Sequence, residues 1–116
     1  MGVGNHDFDD GRSGLKPFLE EVGFPVLGAN LDLSNFPEFD TLINNSVVLD
    51  INGTQVGIIG YITKDLNVYD SSNIANMTFS DEIHAVNEEA KRLKQRGVEI
   101  IIATGHSGKI YEFLYY

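Results

Sequence analysis

Between residues 81 and 103 the chain spells a helix, a stop and a strand, and that unit limits what the rest can be. Ser80 or Asp81 can cap a helix running to about Arg96, with Ile83, Val86, Ala90 and Leu93 as its buried stripe. Asp81 and Glu82 open it, and Lys91, Arg92, Lys94 and Arg96 crowd its end, the order the helix dipole favours. Gly97 stops it. Residues 98–103 then form an almost continuous apolar run, the pattern of a strand buried on both faces in a parallel sheet. A helix feeding such a strand predicts an α/β fold.

The remaining elements are read against that unit. Ser13 can cap a helix to about Val22, with Pro17 in its first turn, Leu15, Phe18, Leu19 and Val22 on one face, and Gly23 as the stop. Residues 24–31 read as a short buried strand, and residues 32–45, with Pro37 and scattered Asn and Asp, as a connecting loop. Residues 47–51 and 55–62 flank Asn52-Gly53, the dipeptide best suited to a two-residue hairpin with positive φ at both central positions. Residues 64–76 read as a polar loop. Residues 1–3 give almost no lead-in, so the strand expected before the first functional loop is not anticipated in this chain.

Charge narrows the partners. Seventeen acidic residues against eight basic ones give a formal charge of -9, which argues against a nucleic-acid polymer or an anionic membrane surface as partner, because both are held by Lys and Arg. A phosphate-bearing substrate would therefore need metal ions to neutralise it. There is no cysteine, no apolar run long enough to span a membrane, and no signal peptide at Met1. Sequons begin at Asn44, Asn52 and Asn76 and suit an extracellular or cell-surface glycoprotein. Composition leaves the oligomeric state open.

Chemistry concentrates in two stretches. Gly4-Asn5-His6-Asp7-Phe8-Asp9-Asp10-Gly11 packs an amide, an imidazole and three carboxylates between two glycines. Asn5 and His6 are adjacent and face one site only if the backbone turns sharply, which Gly4 eases. His6 and Asp9 are three apart, so the carboxylate can take one ring N–H and fix the tautomer; an imidazolium held so can stabilise a transferring phosphoryl group or protonate its leaving oxygen. The same residues also suit a solvated Asx-type turn without a ligand, and Asp7 and Asp10 can equally back a site or keep a loop wet. Gly105-His106-Ser107-Gly108 places a second histidine just past the apolar strand. An imidazole with an Asn carbonyl points to a transition-metal hydrolase, with a hydrogen-bonded loop histidine as the alternative. His84 shares a helix face with Asn87, Glu88 and Lys91 and belongs to a polar surface.

Taken together with residues 24–30 (Phe-Pro-Val-Leu-Gly-Ala-Asn) and 56–61 (Val-Gly-Ile-Ile-Gly-Tyr), these stretches resemble the 5′-nucleotidase and apyrase family of calcineurin-like dinuclear metallophosphoesterases, in order and with family-like spacing. The resemblance implies a four-layer αββα sandwich with mixed sheets and two divalent metal ions, zinc first and manganese or another divalent ion as alternatives. It assigns Asn5 and His106 as ligands to one metal, His6 as the group that stabilises the transition state, and Asp9 as its partner. The implied reaction is in-line attack of an activated water on a nucleotide phosphate, AMP in 5′-nucleotidases and ATP or ADP in apyrases. The family's earlier Asp-x-His and Gly-Asp loops, its later Gly-Gly-His-type loop and its nucleoside-binding carboxyl-terminal domain are not in this sequence. The expectation is an internal piece of the catalytic domain, nearly inactive alone. A non-catalytic secreted binding module and another dinuclear phosphoesterase branch are the competing readings. The apolar residues 110–116 and missing sheet neighbours predict poor solubility.

Overall fold

A computed structural model of the chain describes residues 1–107. In chain order these form helix α1 (Gly11–Glu21), the short strands β1 (Val26–Leu27), β2 (Leu31–Asp32) and β3 (Ile43–Asn44), and the long strands β4 (Ser46–Ile51) and β5 (Thr54–Ile62). After them come β6 (Thr78–Phe79), helix α2 (Glu82–Gln95) and β7 (Ile100–His106). The architecture is mixed α/β, as expected. Its main sheet has the order β4-β5-β7, antiparallel on one side of β5 and parallel on the other.

Local chemistry explains this sheet. Asn52 and Gly53 take φ of 54° and 85°, and Ile51 pairs directly with Thr54, so the hairpin forms where the dipeptide predicts. Asp81 caps α2 by accepting the His84 N–H at 3.0 Å. At the other end Gly97 (φ 89°) donates to the Lys94 carbonyl at 2.9 Å and Val98 to the Leu93 carbonyl at 3.1 Å, a Schellman stop with Leu93 and Val98 in apolar contact. Leu93 is buried against the sheet, and a side chain on Gly57 would come within 2.8 Å of its Cδ1, so the glycine is what lets helix and sheet approach.

Several expectations are corrected. Helix α1 begins at Gly11, whose φ of 64° turns the chain straight into it, so Ser13 lies inside the helix and Pro17 is beyond its first turn; Phe18 faces solvent while Leu15 and Leu19 are buried. Residues 24–31 enter two short strands in different sheets, β1 beside β3 and β2 beside β6, with Asn30 in the turn between them. Residues 32–45 do more than connect: Phe36, Phe39 and Ile43 enter the core around Phe8, and β3 runs parallel to β1. On α2, Ile83 is exposed, and Glu82 and Glu89 take inward positions beside Val86, Ala90 and Leu93. They tolerate burial because Glu82 accepts the Lys64 N–H and pairs with its ammonium, while Glu89 is held by Arg92 and Ser46. Val98 packs before the strand, and in β7 Ile100 and Ile102 stand half-exposed.

The lead-in judged missing is present in short form. Leu27 donates to the Met1 carbonyl at 2.8 Å and accepts from the Val3 N–H at 2.9 Å, so residues 1–3 run parallel to β1 as a strand end. The expectation failed because three residues carry no readable period.

Candidate active site

The first loop leaves that strand end. Gly4 has an extended backbone (φ -111°, ψ 166°) that any residue adopts, so the turn does not depend on glycine freedom there, contrary to the sequence reading. The turn is instead a single 3-10 winding over Asn5–Phe8, closed by the Asp7 carboxylate accepting the Gly4 N–H at 2.8 Å. Phe8, 2% exposed, anchors it in the core. The winding sends neighbouring side chains in different directions: Asn5 is buried and His6 is exposed. His6 Nδ1 lies 2.9 Å from Asp9 Oδ2, the contact their spacing predicts.

The second loop is the carboxyl end of β7. Gly105 pairs with Tyr61, and a Cβ on Gly105 would fall 2.1 to 2.4 Å from the Tyr61 ring atoms, so this glycine is a seat for the ring. His106 pairs with Ile62, and its carbonyl accepts the Thr63 N–H at 3.1 Å. Its imidazole reaches the first loop: a Cβ on Gly4 would meet His106 Cδ2 at 3.5 Å. Ser107 is buried, its hydroxyl without a partner among the described residues, and Gly108 and the apolar stretch at 110–116 lie outside the described residues.

Between the loops is an open cleft of about 300 Å³ whose walls include Gly4, His6, Asp7, Thr104 and His106. Among the described residues no Lys or Arg lines it. The structure therefore brings His6, Asp9 and His106 to one place. Asn5 is buried and is not among the residues that wall the cleft; its Nδ2 donates to the Val68 carbonyl at 2.8 Å. That bond commits the nitrogen end of the amide, which leaves Oδ1 as the atom able to meet a cation. Two nearby carboxylates are already engaged, Asp7 on Gly4 and Asp9 on His6. Asn5 and His106 thus fit part of a divalent site by donor chemistry, an amide oxygen and an imidazole nitrogen. Among the described residues no group of three or more His, Asp or Glu is placed to hold a metal. His84, on the outer face of α2, takes no part in the cleft.

Sequence reading missed a residue packed behind the first loop. Tyr69, in the supposed polar loop, packs on Phe8 and Phe79 and donates its hydroxyl to the Thr63 carbonyl. Burial pushes that phenol well above its ordinary range, with Glu82 and Asp65 adding to the shift, so it remains a donor. An aromatic ring in a run that also carries Leu66, Val68 and the core residue Ile74 was the available signal.

Comparison with known proteins accords with this geometry. The family model described as calcineurin-like phosphoesterase matches residues 1–115. A 5′-nucleotidase of Diplobatis ommata is 43% identical over 111 residues, covering 93% of this chain and 19% of that protein. An apyrase of Tabanus yao is 39% identical over 114 residues, covering 97% and 20%. The crystal structure of a 5′-nucleotidase precursor from Thermus thermophilus superposes with a TM-score of 0.92 at 31% identity, covering 99% of this chain and 22% of that one. The chain thus spans about a fifth of the length of the relatives it matches. Matched over nearly its whole length by one family, with both loops at strand ends, this chain belongs to the calcineurin-like phosphoesterases.

Proposed function

We propose that this chain supplies part of the catalytic domain of a nucleotide phosphohydrolase of the 5′-nucleotidase type, with Asn5 and His106 as ligands to one of two divalent ions and His6–Asp9 as the acid–base pair. The observation that carries the proposal is the meeting of two loops a hundred residues apart in one cleft, with the His6 ring bonded to Asp9 and the His106 ring against Gly4.

Calcineurin-like phosphoesterases bind divalent metal ions. Zinc is the first choice here, with manganese or another divalent ion as alternatives, since imidazole with a neutral oxygen donor suits them. Such an ion supplies Lewis acidity toward a phosphoryl oxygen and lowers the pKa of water to near neutrality. The chain's own part is positional and acid–base. As an imidazolium, His6 would give its Nδ1–H to Asp9 and leave Nε2–H to donate to a phosphoryl oxygen, or to pass its proton to the departing ribose oxygen. With no Lys or Arg among the described residues lining the cleft, phosphate charge there would be met by histidine and by metal ions. Similarity to the Tabanus yao apyrase favours ATP or ADP as the second substrate reading after AMP.

Two ligands do not close a dinuclear centre, so the purified chain is expected to release little phosphate from AMP, ADP or ATP. Calorimetric titration with zinc and manganese tests the half-site. Binding lost in both Asn5→Ala and His106→Ala supports it, and binding indifferent to both refutes it. We also propose an extracellular or cell-surface location, supported by the exposure of all three sequon asparagines, Asn44, Asn52 and Asn76. Secretion from a eukaryotic host should give a glycosidase-sensitive mass increase, and its absence would count against that location.

A further inference from the structure

Residues 66–73 touch the His6 loop at three separate points. The Val68 carbonyl takes the Asn5 amide N–H at 2.8 Å. The Tyr69 ring lies against Phe8, centroids 6.4 Å apart and tilted by 59°. Asn73 Nδ2 donates to the main-chain oxygen of Asp9 at 2.6 Å. Asn5 and Val68 are 63 residues apart and Asp9 and Asn73 are 64, so none of this arises from local chain geometry.

The segment is firm enough to act as a support. Asp65 accepts the Asn67 N–H at 3.1 Å and starts a turn over Leu66–Val68. The Asp70 carboxylate takes both the Ser72 hydroxyl at 2.6 Å and the Ser72 N–H at 2.9 Å, which hold it below the usual carboxylate range, and the Asp70 carbonyl takes the Asn73 N–H at 3.0 Å. Asn73 Oδ1 faces Gly11: a Cβ there would lie 3.4 Å away, at ordinary contact distance. Asn73 therefore grips the junction where the 3-10 winding becomes α1, at the residue whose carboxylate holds His6.

Energetics show why a support is needed. The His6 and Asp9 side chains are 78% and 64% exposed, and an exposed pair three residues apart contributes on the order of 0 to 1 kcal/mol, too little to order two side chains by itself. The direction of the carboxylate must come from the backbone beneath it. That backbone is fixed by the Asp9 N–H donating to the His6 carbonyl at 3.2 Å and by Asn73 on the other side of the residue. We propose that Asn73 is a positioning residue for the His6–Asp9 pair, and that residues 66–73 are the brace setting both Asn5 and His6. This rests on the reading of His6–Asp9 as the acid–base pair.

The test needs neither metal nor nucleotide. Long-range proton–nitrogen NMR of the nitrogen-15-labelled chain, at a pH where imidazole is neutral, reads the His6 tautomer. Donation from Nδ1 to Asp9 places the proton on Nδ1. Asn73→Ala and Asn73→Asp, the latter of like shape without the donor, should lower the Nδ1–H to Nε2–H ratio roughly two- to fivefold, the range an exposed pair can supply. Amide signals of the β4–β5 hairpin show which variant stays folded and carries the comparison. Asp9→Asn marks the effect of losing the carboxylate. If Asp9→Asn shifts the ratio and folded Asn73 variants do not, the positioning role is overturned while the pair stands. If Asp9→Asn shifts nothing, the pair is not held in solution, and both readings fall.

Discussion

Asn30 is the residue whose removal should cost the fold most for its size. Its side chain is 1% exposed and behaves as an inserted peptide group: Oδ1 accepts the Ile62 N–H at 2.9 Å, and Nδ2 donates to the Ile62 carbonyl at 2.8 Å and to the Ser80 carbonyl at 3.2 Å. Asn30→Ala leaves both main-chain groups of fully buried Ile62 without these partners. Each orphaned group costs roughly 1 to 3 kcal/mol, or about 2 to 6 together, and water entering the vacated space trims the loss. We expect about 3 to 4 kcal/mol, a large share of the roughly 5 to 15 kcal/mol that holds a domain folded. In a urea titration with a slope of about 1 to 3 kcal/mol per molar, the midpoint should fall by roughly 2 M with little change of slope. Because Ile62 pairs with His106 and Thr63 bonds the His106 carbonyl, amide exchange at Gly105–His106 should accelerate more than at the Asn52-Gly53 turn. Asn30→Asp keeps the acceptor but sets a carboxylate oxygen against two carbonyls, so it should be worse than Ala at neutral pH and improve as acid protonates it. A midpoint shift below about 0.5 M for Asn30→Ala would refute the peptide-mimic account.

Three further outcomes are expected. Arg92 beside Glu89 holds that carboxyl below its ordinary 4.5 against the opposing effect of burial, so its contribution is present above about pH 4.5 and lost as pH falls through the lower folded value; thermal melts from pH 6 to 3 should show the loss, and Glu89→Gln should flatten it. Gly105→Ala must displace the Tyr61 ring, 2.1 Å from the new Cβ, and should weaken zinc binding by the chain at least as much as it lowers stability; unchanged affinity in a folded variant would separate ring and site. Ile100→Lys with Ile102→Glu, both about half exposed, should raise solubility with a change in stability of roughly 0.5 kcal/mol or less, and a large loss would mean the pair is packed.

Legibility in the sequence followed the range of the interactions. The hairpin was readable because Asn52 and Gly53 carry their own turn geometry, and the end of α2 because Gly97 and Val98 complete a local stop. The spacing of His6 and Asp9 foretold their contact for the same reason. The pairing of residues 1–3 with β1 was not readable, nor that of β1 with β3, because two- and three-residue strands have no period. Glu82 and Glu89 broke the α2 stripe since burial of a carboxylate depends on distant partners, Lys64 and Ser46 among them. Asn5 could be singled out from the sequence, but its orientation could not: that is set by Val68, 63 residues away.

The strand carrying His106 joins these two kinds of information. Residues 98–103 were written for two apolar faces, and α2 covers one of them through Leu93, Val98 and Ile101. Alternation and register place Val47, Leu49, Ile51, Val56, Ile58, Ile100 and Ile102 together on the other face. Leu49, Ile51, Ile100 and Ile102 are 39% to 52% exposed there, and none of the seven side chains is ionisable although the chain carries a charge of -9. Among the described residues β7 is therefore an edge strand packed from one side. Its direction near the site cannot come from being sandwiched. It comes from contacts at its carboxyl end: Thr63 on the His106 carbonyl, Asn30 on Ile62, and the Tyr61 ring seated on Gly105. A histidine placed by end contacts of this kind is sensitive to the residues beside and behind it, so substitutions at Asn30 and Gly105 should move His106.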